Sequence, residues 1–486
     1  MKVQVRGRPG AVRLSQELGA GGEARVYALP GHPDRVAKIY HRPDPAKAAK
    51  LEAMLRNPPE EPDPERPAVI WPVALVDRAG SKRQEFRGFT MPRVDGMASI
   101  FEVLNPSVRR QNTPLFGWRS LVQAARNTAV VMARVHAIGH VIGDLNESNV
   151  LVDATARIAI VDTDSFQVRD RVTGQLHRCP VGKPEYTAPE LQGVAFRDVD
   201  QTPVHDHFAL AVLIFQLLME GTHPFAGVYQ GRGEPPTMAA RIAAGMLPGR
   251  SDARLSWMPA MPPIGLLGSM LTGLFERCFQ RGHGTPSLRP TAAEWVDALT
   301  AFEKDLIACT ENPQHAYGLH VDGCPWCARR DALGGRDPFP SLADVRRQSH
   351  LAPPPPRKPT ELPRWRAVER DGALEGAGGV AVPFRKRRGP PRRRRAAARA
   401  ARSPTQRGTG APAVGRTAFA PGRALLAGGL VLGLVIALFV LIGRVADNLE
   451  SSPTPNPVNN PVKPANQQKP PPPPEAPLPG TQETVK

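Results

Sequence analysis

Gly143-Asp144-Leu145-Asn146-Glu147-Ser148-Asn149-Val150-Leu151-Val152 leads, thirteen residues past Asn149, to Asp162 in Ile160-Val161-Asp162-Thr163-Asp164-Ser165-Phe166. A short hairpin between Asn149 and Asp162 is expected to return the second carboxylate toward Asp144. One carboxylate, an amide five residues on and a second carboxylate make an unusual set. The first can accept a hydroxyl proton, while the amide and the second carboxylate can hold a divalent cation.

Working outward toward the N-terminus, residues 1–92 read as a small β-rich lobe. Strand-like segments flank Leu18-Gly19-Ala20-Gly21-Gly22-Glu23-Ala24-Arg25-Val26, where Gly19 and Gly21 let backbone N–H groups approach phosphate oxygens with no Cβ in the way. Lys38 lies on the next predicted strand, Arg35–Tyr40. Pro45–Leu55 has helical spacing, and Glu52 on it is the expected ion-pair partner of Lys38. Glu60 and Glu61 are weaker candidates, because Pro58-Pro59 should end the helix before them. Val69–Val76 and Phe86–Met91 predict further strands, and Met91–Gly96 a hinge. Beyond it the pattern turns helical, over Ser120–Ile138, the nearly all-apolar Asp206–Met219, and Glu294–Ile307.

Four later motifs complete the order. They are Gly182-Lys183-Pro184-Glu185-Tyr186-Thr187-Ala188-Pro189-Glu190, His205-Asp206-His207-Phe208-Ala209-Leu210, Gly221-Thr222-His223-Pro224-Phe225 and Leu288-Arg289-Pro290-Thr291. Together with Lys38, Asp144, Asn149 and Asp162 they resemble the eukaryotic-type protein kinases, over residues 10 to about 330. More narrowly, the catalytic stretch is similar to a bacterial group of kinases that carry helix-hairpin-helix DNA-binding domains. This chain shows no convincing helix-hairpin-helix, so DNA binding is not carried over and nucleic acid is not an expected partner.

The resemblance implies an α+β, two-lobed protein-kinase-like fold over 1–305, with a small lobe at 1–92 and a large lobe at 93–305. It implies ATP with Mg²⁺, or alternatively Mn²⁺, and protein Ser/Thr hydroxyls as acceptors, the chain's own included. Asp144 would be the catalytic base and Asn149 the second metal ligand. Asp162 has the spacing of the main Mg²⁺ ligand, with Asp164 as a second candidate. Gly19, Gly21, Val26 and Lys38 would bind the nucleotide. A reversing metal-dependent protein phosphatase is an associated partner of such kinases. The rival readings are a nucleotide-binding pseudokinase scaffold and a small-molecule kinase.

Two departures from the family pattern stand out. Gly143 occupies the place of an Arg, so no cation waits there for a phosphorylated activation loop. Asn146 replaces a Lys that normally faces the γ-phosphate, whereas Lys183 stands where a Thr is usual. Lys183 is therefore the expected source of the missing charge.

Composition places this lobed region in a longer chain. The 486 residues include 55 Pro and 44 Gly and carry a net charge of +18. Arg385–Arg402 supplies a dense run of that positive charge without an acid, so basicity is mostly a property of a Pro- and Arg-rich linker at 331–423. Five cysteines are too few and too odd for a disulfide scaffold. Cys309, His315, Cys324 and Cys327 instead have the spacing of a Cys₃His zinc knuckle at 306–330, with His320 as the alternative histidine.

The N-terminus has no apolar run of the kind a secretory signal needs. Ala424–Gly443 is twenty residues long without a charge, enough for a single membrane-spanning helix. The basic run before it predicts an inner-membrane protein with its N-terminal part in the cytoplasm and a Pro-rich tail at 444–486 outside. The basic run also suits anionic lipid, and Gly429 and Gly433 allow the spans to pair as a homodimer.

Overall fold

The computed structural model describes residues 1–81, 83–250 and 254–353, all within Met1–Val414, one of two units into which the chain divides. The expected membrane helix at 424–443, the tail at 444–486 and the linker from 354 onward lie outside the described residues. Among the described residues no helix is long and apolar enough to cross a membrane.

The fold is mixed α and β, with its main sheet at the front. Seven antiparallel strands, β1 (Lys2–Val5), β2 (Ala11–Arg13), β3 (Glu17–Ala20), β4 (Ala24–Leu29), β5 (His32–Tyr40), β6 (Ala74–Arg78) and β7 (Phe86–Pro92), lie in the order β2-β1-β6-β7-β5-β4-β3. Helix α1 (Pro45–Arg56) follows β5. Asp44 caps it by accepting from the Ala46 N–H, and Pro45 sits in the first turn, where its missing donor costs nothing. Leu51, Ala53 and Met54 pack inward against the sheet's apolar face. Val3, Val5, Leu14, Leu29, Ala37, Ile39 and Val76 form a second, smaller core.

The expected strand at Val69–Val76 begins only at Ala74. Val69 is diverted into a parallel bridge with Ile160, and the Ile70 N–H donates to the Ile160 carbonyl at 2.9 Å. This stitch ties the sheet region to the hairpin Val150–Val152/Ile158–Ile160, whose register pairs Leu151 with Ala159.

After β7 the chain is largely helical. The helices Trp118–Ala137 and Pro203–Leu218 form the centre, with Ala292–Lys304 packed along the first. Pro203–Leu218 is buried along almost its whole length, as its unbroken apolar sequence requires. The expected helix at Glu294–Ile307 stops at Lys304, because Leu306–Ala308 pairs as a strand with Ala316–Gly318.

One boundary needs correction. The linker expected from 331 is still packed beyond that point: Phe339 is buried, and Leu342–Arg346 forms a short helix.

Candidate functional site

Asp144 sits in a loop that its own neighbours hold rigid. The Asn146 Nδ2 donates to Asp144 Oδ1 at 2.9 Å, and the Asn149 Nδ2 donates to Asp144 Oδ2 at 3.2 Å and to its carbonyl at 3.0 Å. The Asn146 Oδ1 accepts from the Ser148 N–H at 2.9 Å. Asn146 therefore spends both ends of its amide shaping the loop. Burial pushes the Asp144 carboxyl above its ordinary value, opposed by the hydrogen bonds from Asn146 and Asn149.

From below, Asp206 accepts from the backbone N–H groups of Ile142 (2.7 Å) and Gly143 (2.8 Å), and also contacts His136 at 2.8 Å. Gly143 has φ +75°, and a Cβ there would lie 2.8 Å from the Cys179 sulfur. An Arg at this position is thus excluded by backbone and packing together.

The second carboxylate pair divides its work. Asp162 has φ 58°, a left-handed turn that begins the short 3₁₀ segment Thr163–Ser165. Its side chain is exposed to the cleft, whereas that of Asp164 is nearly buried. The Lys38 ammonium donates to Asp162 Oδ1 at 2.5 Å and to Asp164 Oδ1 at 2.6 Å, and the Tyr40 hydroxyl donates to Asp164 Oδ2 at 2.6 Å. Burial lowers the Lys38 value, but Asp164 and Asp162 overcome it and leave the ammonium above its usual range.

Glu52 is not the partner of Lys38. It bonds Arg6 at 2.8 Å, and Arg6 also holds Asp77 at 2.7 Å. On α1 the inward positions are Lys50, Leu51, Ala53 and Met54, so Glu52 falls off the face that meets the cleft. Lys50 points there instead. Its ammonium donates to the carbonyls of Ser165 (3.1 Å) and Arg178 (3.3 Å), and burial lowers it to about 8.

These groups line a cleft of about 690 Å³ that contains Lys38, Lys50, Asp144, Asp162 and Asp164, with Gly21 and Gly22 above them. Gly19 lies in β3 and is not among the lining residues. A Cβ on Gly19 or Gly22 would meet nothing within 4 Å, and one on Gly21 only the Ala24 carbonyl at 3.9 Å. Neither packing nor a positive φ explains these glycines, and the space they leave can admit phosphate oxygens.

Another pocket, of about 300 Å³, is lined mainly by apolar residues, among them Leu18, Val26, Val36, Ile70, Met91 and Val161, together with Arg93 and Asp95. It suits a flat base. Of these only Val26 was picked out from sequence as a nucleotide contact, although Val161 adjoins Asp162 and Val36 lies two residues before Lys38 on β5.

Lys183 donates to Glu147, and its backbone N–H reaches Asp144. It is not among the residues lining the cleft. Glu190 and Arg289 make a bidentate pair at 2.7 Å on both arms. At the far end of the described region, Cys309, His315, Cys324 and Cys327 converge, with their ligand atoms within 4.8 Å of one another. His320 instead contacts the Gly265 carbonyl at 3.1 Å.

No family model matches the chain. It is similar to the protein named Protein kinase YegI of Escherichia coli O157:H7, with 37% identity over 329 residues, covering 65% of this chain and 49% of that protein. The protein of the same name from Escherichia coli strain K12 is 36% identical over 327 residues, covering 65% of this chain and 48% of that protein. The chain thus spans about half the length of the curated relatives it matches. This likeness supports a bacterial kinase-like family.

Proposed function

We propose that the chain is a membrane-anchored protein kinase that transfers the γ-phosphate of ATP to Ser/Thr hydroxyls of proteins, including its own. The observation that carries this reading is the convergence of Lys38, Asp144 and Asp162 on one cleft, with Asn149 hydrogen-bonded to Asp144 behind it and a second pocket sharing Val26. The similarity to proteins named as kinases supports it.

Asp144 is the group that takes the acceptor hydroxyl's proton, its carboxylate held by hydrogen bonds from Asn146 and Asn149. Asn149 and Asp162 are the residues that would hold Mg²⁺. Lys38, kept oriented by Asp164, would offer its ammonium to phosphate oxygens in place of Asp162. Gly21 and Gly22 would leave room for the phosphates, and Val26, Val36, Ile70 and Met91 would hold the base. Mg·ATP, when bound, supplies the phosphoryl group and a cation that offsets the charge building on it.

Lys183 is the residue nearest the loop that can replace the charge absent at Asn146, once released from Glu147. The bidentate Glu190–Arg289 pair anchors the segment Gly182–Glu190, which suits a peptide acceptor better than a small molecule. Activity independent of a phosphorylated activation segment is consistent with Gly143. Anchoring rests on the apolar stretch at 424–443 and the basic run before it. A chain truncated after residue 353 should leave the membrane fraction, and its retention there would refute the anchor.

The test is incubation of the purified chain with γ-labelled ATP and Mg²⁺, followed by phosphoamino-acid analysis. Phosphoserine or phosphothreonine should appear, Lys38→Ala should abolish labelling, and Lys183→Ala should reduce it about tenfold or more. Unchanged labelling in Lys183→Ala removes that residue from the mechanism. The second reading, a pseudokinase scaffold, is favoured by Asn146 being turned inward. It predicts nucleotide binding with no labelled product.

A further inference from the structure

The four-residue Cys/His cluster lies apart from the catalytic cleft, and its dimensions can be compared with those a bound ion would impose. Cys309 Sγ lies 3.6 Å from Cys327 Sγ, and His315 Nδ1 lies 3.5 Å from both Cys324 Sγ and Cys327 Sγ. A tetrahedron with Zn–S near 2.3 Å and Zn–N near 2.0–2.1 Å places sulfurs about 3.8 Å apart and sulfur and nitrogen about 3.5 Å apart. These three spacings match those of ligands around one ion, and all four ligand atoms lie within 4.8 Å of one another. A disulfide would need two sulfurs about 2.05 Å apart.

Two further features belong to metal centres in particular. His315 is fully buried and turns Nδ1 to the sulfurs, while its Nε2 meets Asp337 at 2.9 and 3.1 Å. A carboxylate on the outer nitrogen fixes the tautomer that leaves Nδ1 free as a ligand. Asp337 is itself held, accepting from the Asn312 amide at 3.2 Å and the Phe339 N–H at 2.9 Å. The sulfurs also accept backbone donors: Glu311 N–H to Cys309 at 3.4 Å, and the Trp326 and Cys327 N–H groups to Cys324.

The cluster is joined to the large helices by side chains that flank its ligands. Trp326, between Cys324 and Cys327, is fully buried and lies against Trp118 and Phe339, with ring centroids 5.4 and 4.7 Å away. Two residues past Cys327, Arg329 donates to Glu220, the residue with φ 51° just past helix Pro203–Leu218. The other Glu220 oxygen faces the buried Arg109 at 3.5 Å, and Arg109 stacks over Phe339 at 4.5 Å.

We propose that Cys309, His315, Cys324 and Cys327 bind one Zn²⁺ with Asp337 as the outer brace of His315, and that this centre clamps residues 306–339 onto the ends of the two central helices. Without the ion, three thiols and a buried imidazole have no common partner, and Trp326 and Arg329 lose the turn that aims them. The clamp therefore sets the thermal stability of the large lobe and is independent of what the cleft binds.

The test uses the purified whole chain. Elemental analysis should find one zinc per chain, and cobalt(II) exchange should give the charge-transfer and d–d absorption of a tetrahedral thiolate site. Asp337→Ala should keep that spectrum while weakening zinc affinity about 10- to 100-fold in chelator competition. Chelation should lower the melting temperature of the wild-type chain, and added zinc should restore it. Zinc-free protein with an octahedral cobalt spectrum, or a Cys309–Cys327 disulfide in peptide mapping, overturns the metal site. Unchanged affinity in Asp337→Ala overturns the brace, and a melting temperature indifferent to chelation overturns the clamp. The wild-type measurements stand even where a cysteine variant fails to fold.

Discussion

At the scale of single residues, the departure with most consequence is the partner of Lys38. Spacing in the sequence identified Lys38, but not the carboxylate that holds it, because that depends on the rotation of α1 about its axis. A signal was present: Leu51, Met54 and Leu55 form an apolar stripe that leaves Glu52 to one side. Lys50, charged yet buried, obscured it. In the structure Asp164, reinforced by Tyr40, does what Glu52 was expected to do. Asp164→Asn should therefore cut turnover by roughly 10- to 100-fold, since misplacing a catalytic group by about 1 Å costs that much. Glu52→Gln should stay within about twofold of the parent in the same steady-state assay. Equal losses in the two variants would return the role to α1.

At the scale of elements, the strands and helices that position the site follow from periodicity, and their exceptions come from long-range pairing. Val69 reads as part of a strand because it is apolar, yet it pairs with Ile160 from a distant hairpin. Local pattern carries no information about such a partner. The same holds for the strand Leu306–Ala308, whose first two residues local spacing assigned to a helix.

Gly88 shows what pattern alone leaves unread. It lies opposite Ile39 in the β5–β7 register and beside the irregularity where β6 meets β7. A Cβ on it would come within 2.0 Å of the Lys38 carbonyl. The close approach of β7 beneath Lys38 thus requires glycine. Gly88→Ala should destabilise the fold by about 1–3 kcal/mol through forced strand separation, and should weaken nucleotide binding as Lys38 shifts. Urea denaturation and nucleotide titration read the two effects. A variant of parental stability would show that β5 and β7 yield easily.

At the scale of the whole molecule, the sequence shows a division of labour that the described residues cover only in part. The order of motifs from Gly19 to Arg289 could be read because each motif has a chemical reason for its residues, although Gly19 itself does not line the cleft. The cluster at Cys309–Cys327 was legible from ligand spacing, and the structure selects His315 over His320. What spacing could not supply was Asp337, which lies ten residues beyond the last cysteine in a stretch that composition assigned to a linker. Its importance follows from a fold-level contact with His315. The proposed anchor and basic segment would place this chemistry at a membrane surface, where local concentration of acceptors, more than affinity, sets what is phosphorylated.

Asp144 is proposed as the base for phosphoryl transfer in a cleft otherwise competent for nucleotide. Single-turnover transfer from γ-labelled ATP, measured alongside nucleotide affinity for the parent chain and Asp144→Asn, tests this most directly. Nucleotide affinity should agree within a few-fold between the two proteins, and transfer should be slower by about 10²- to 10⁴-fold in the variant. Nucleotide binding without transfer in the parent chain, or equal transfer rates in both, would contradict it.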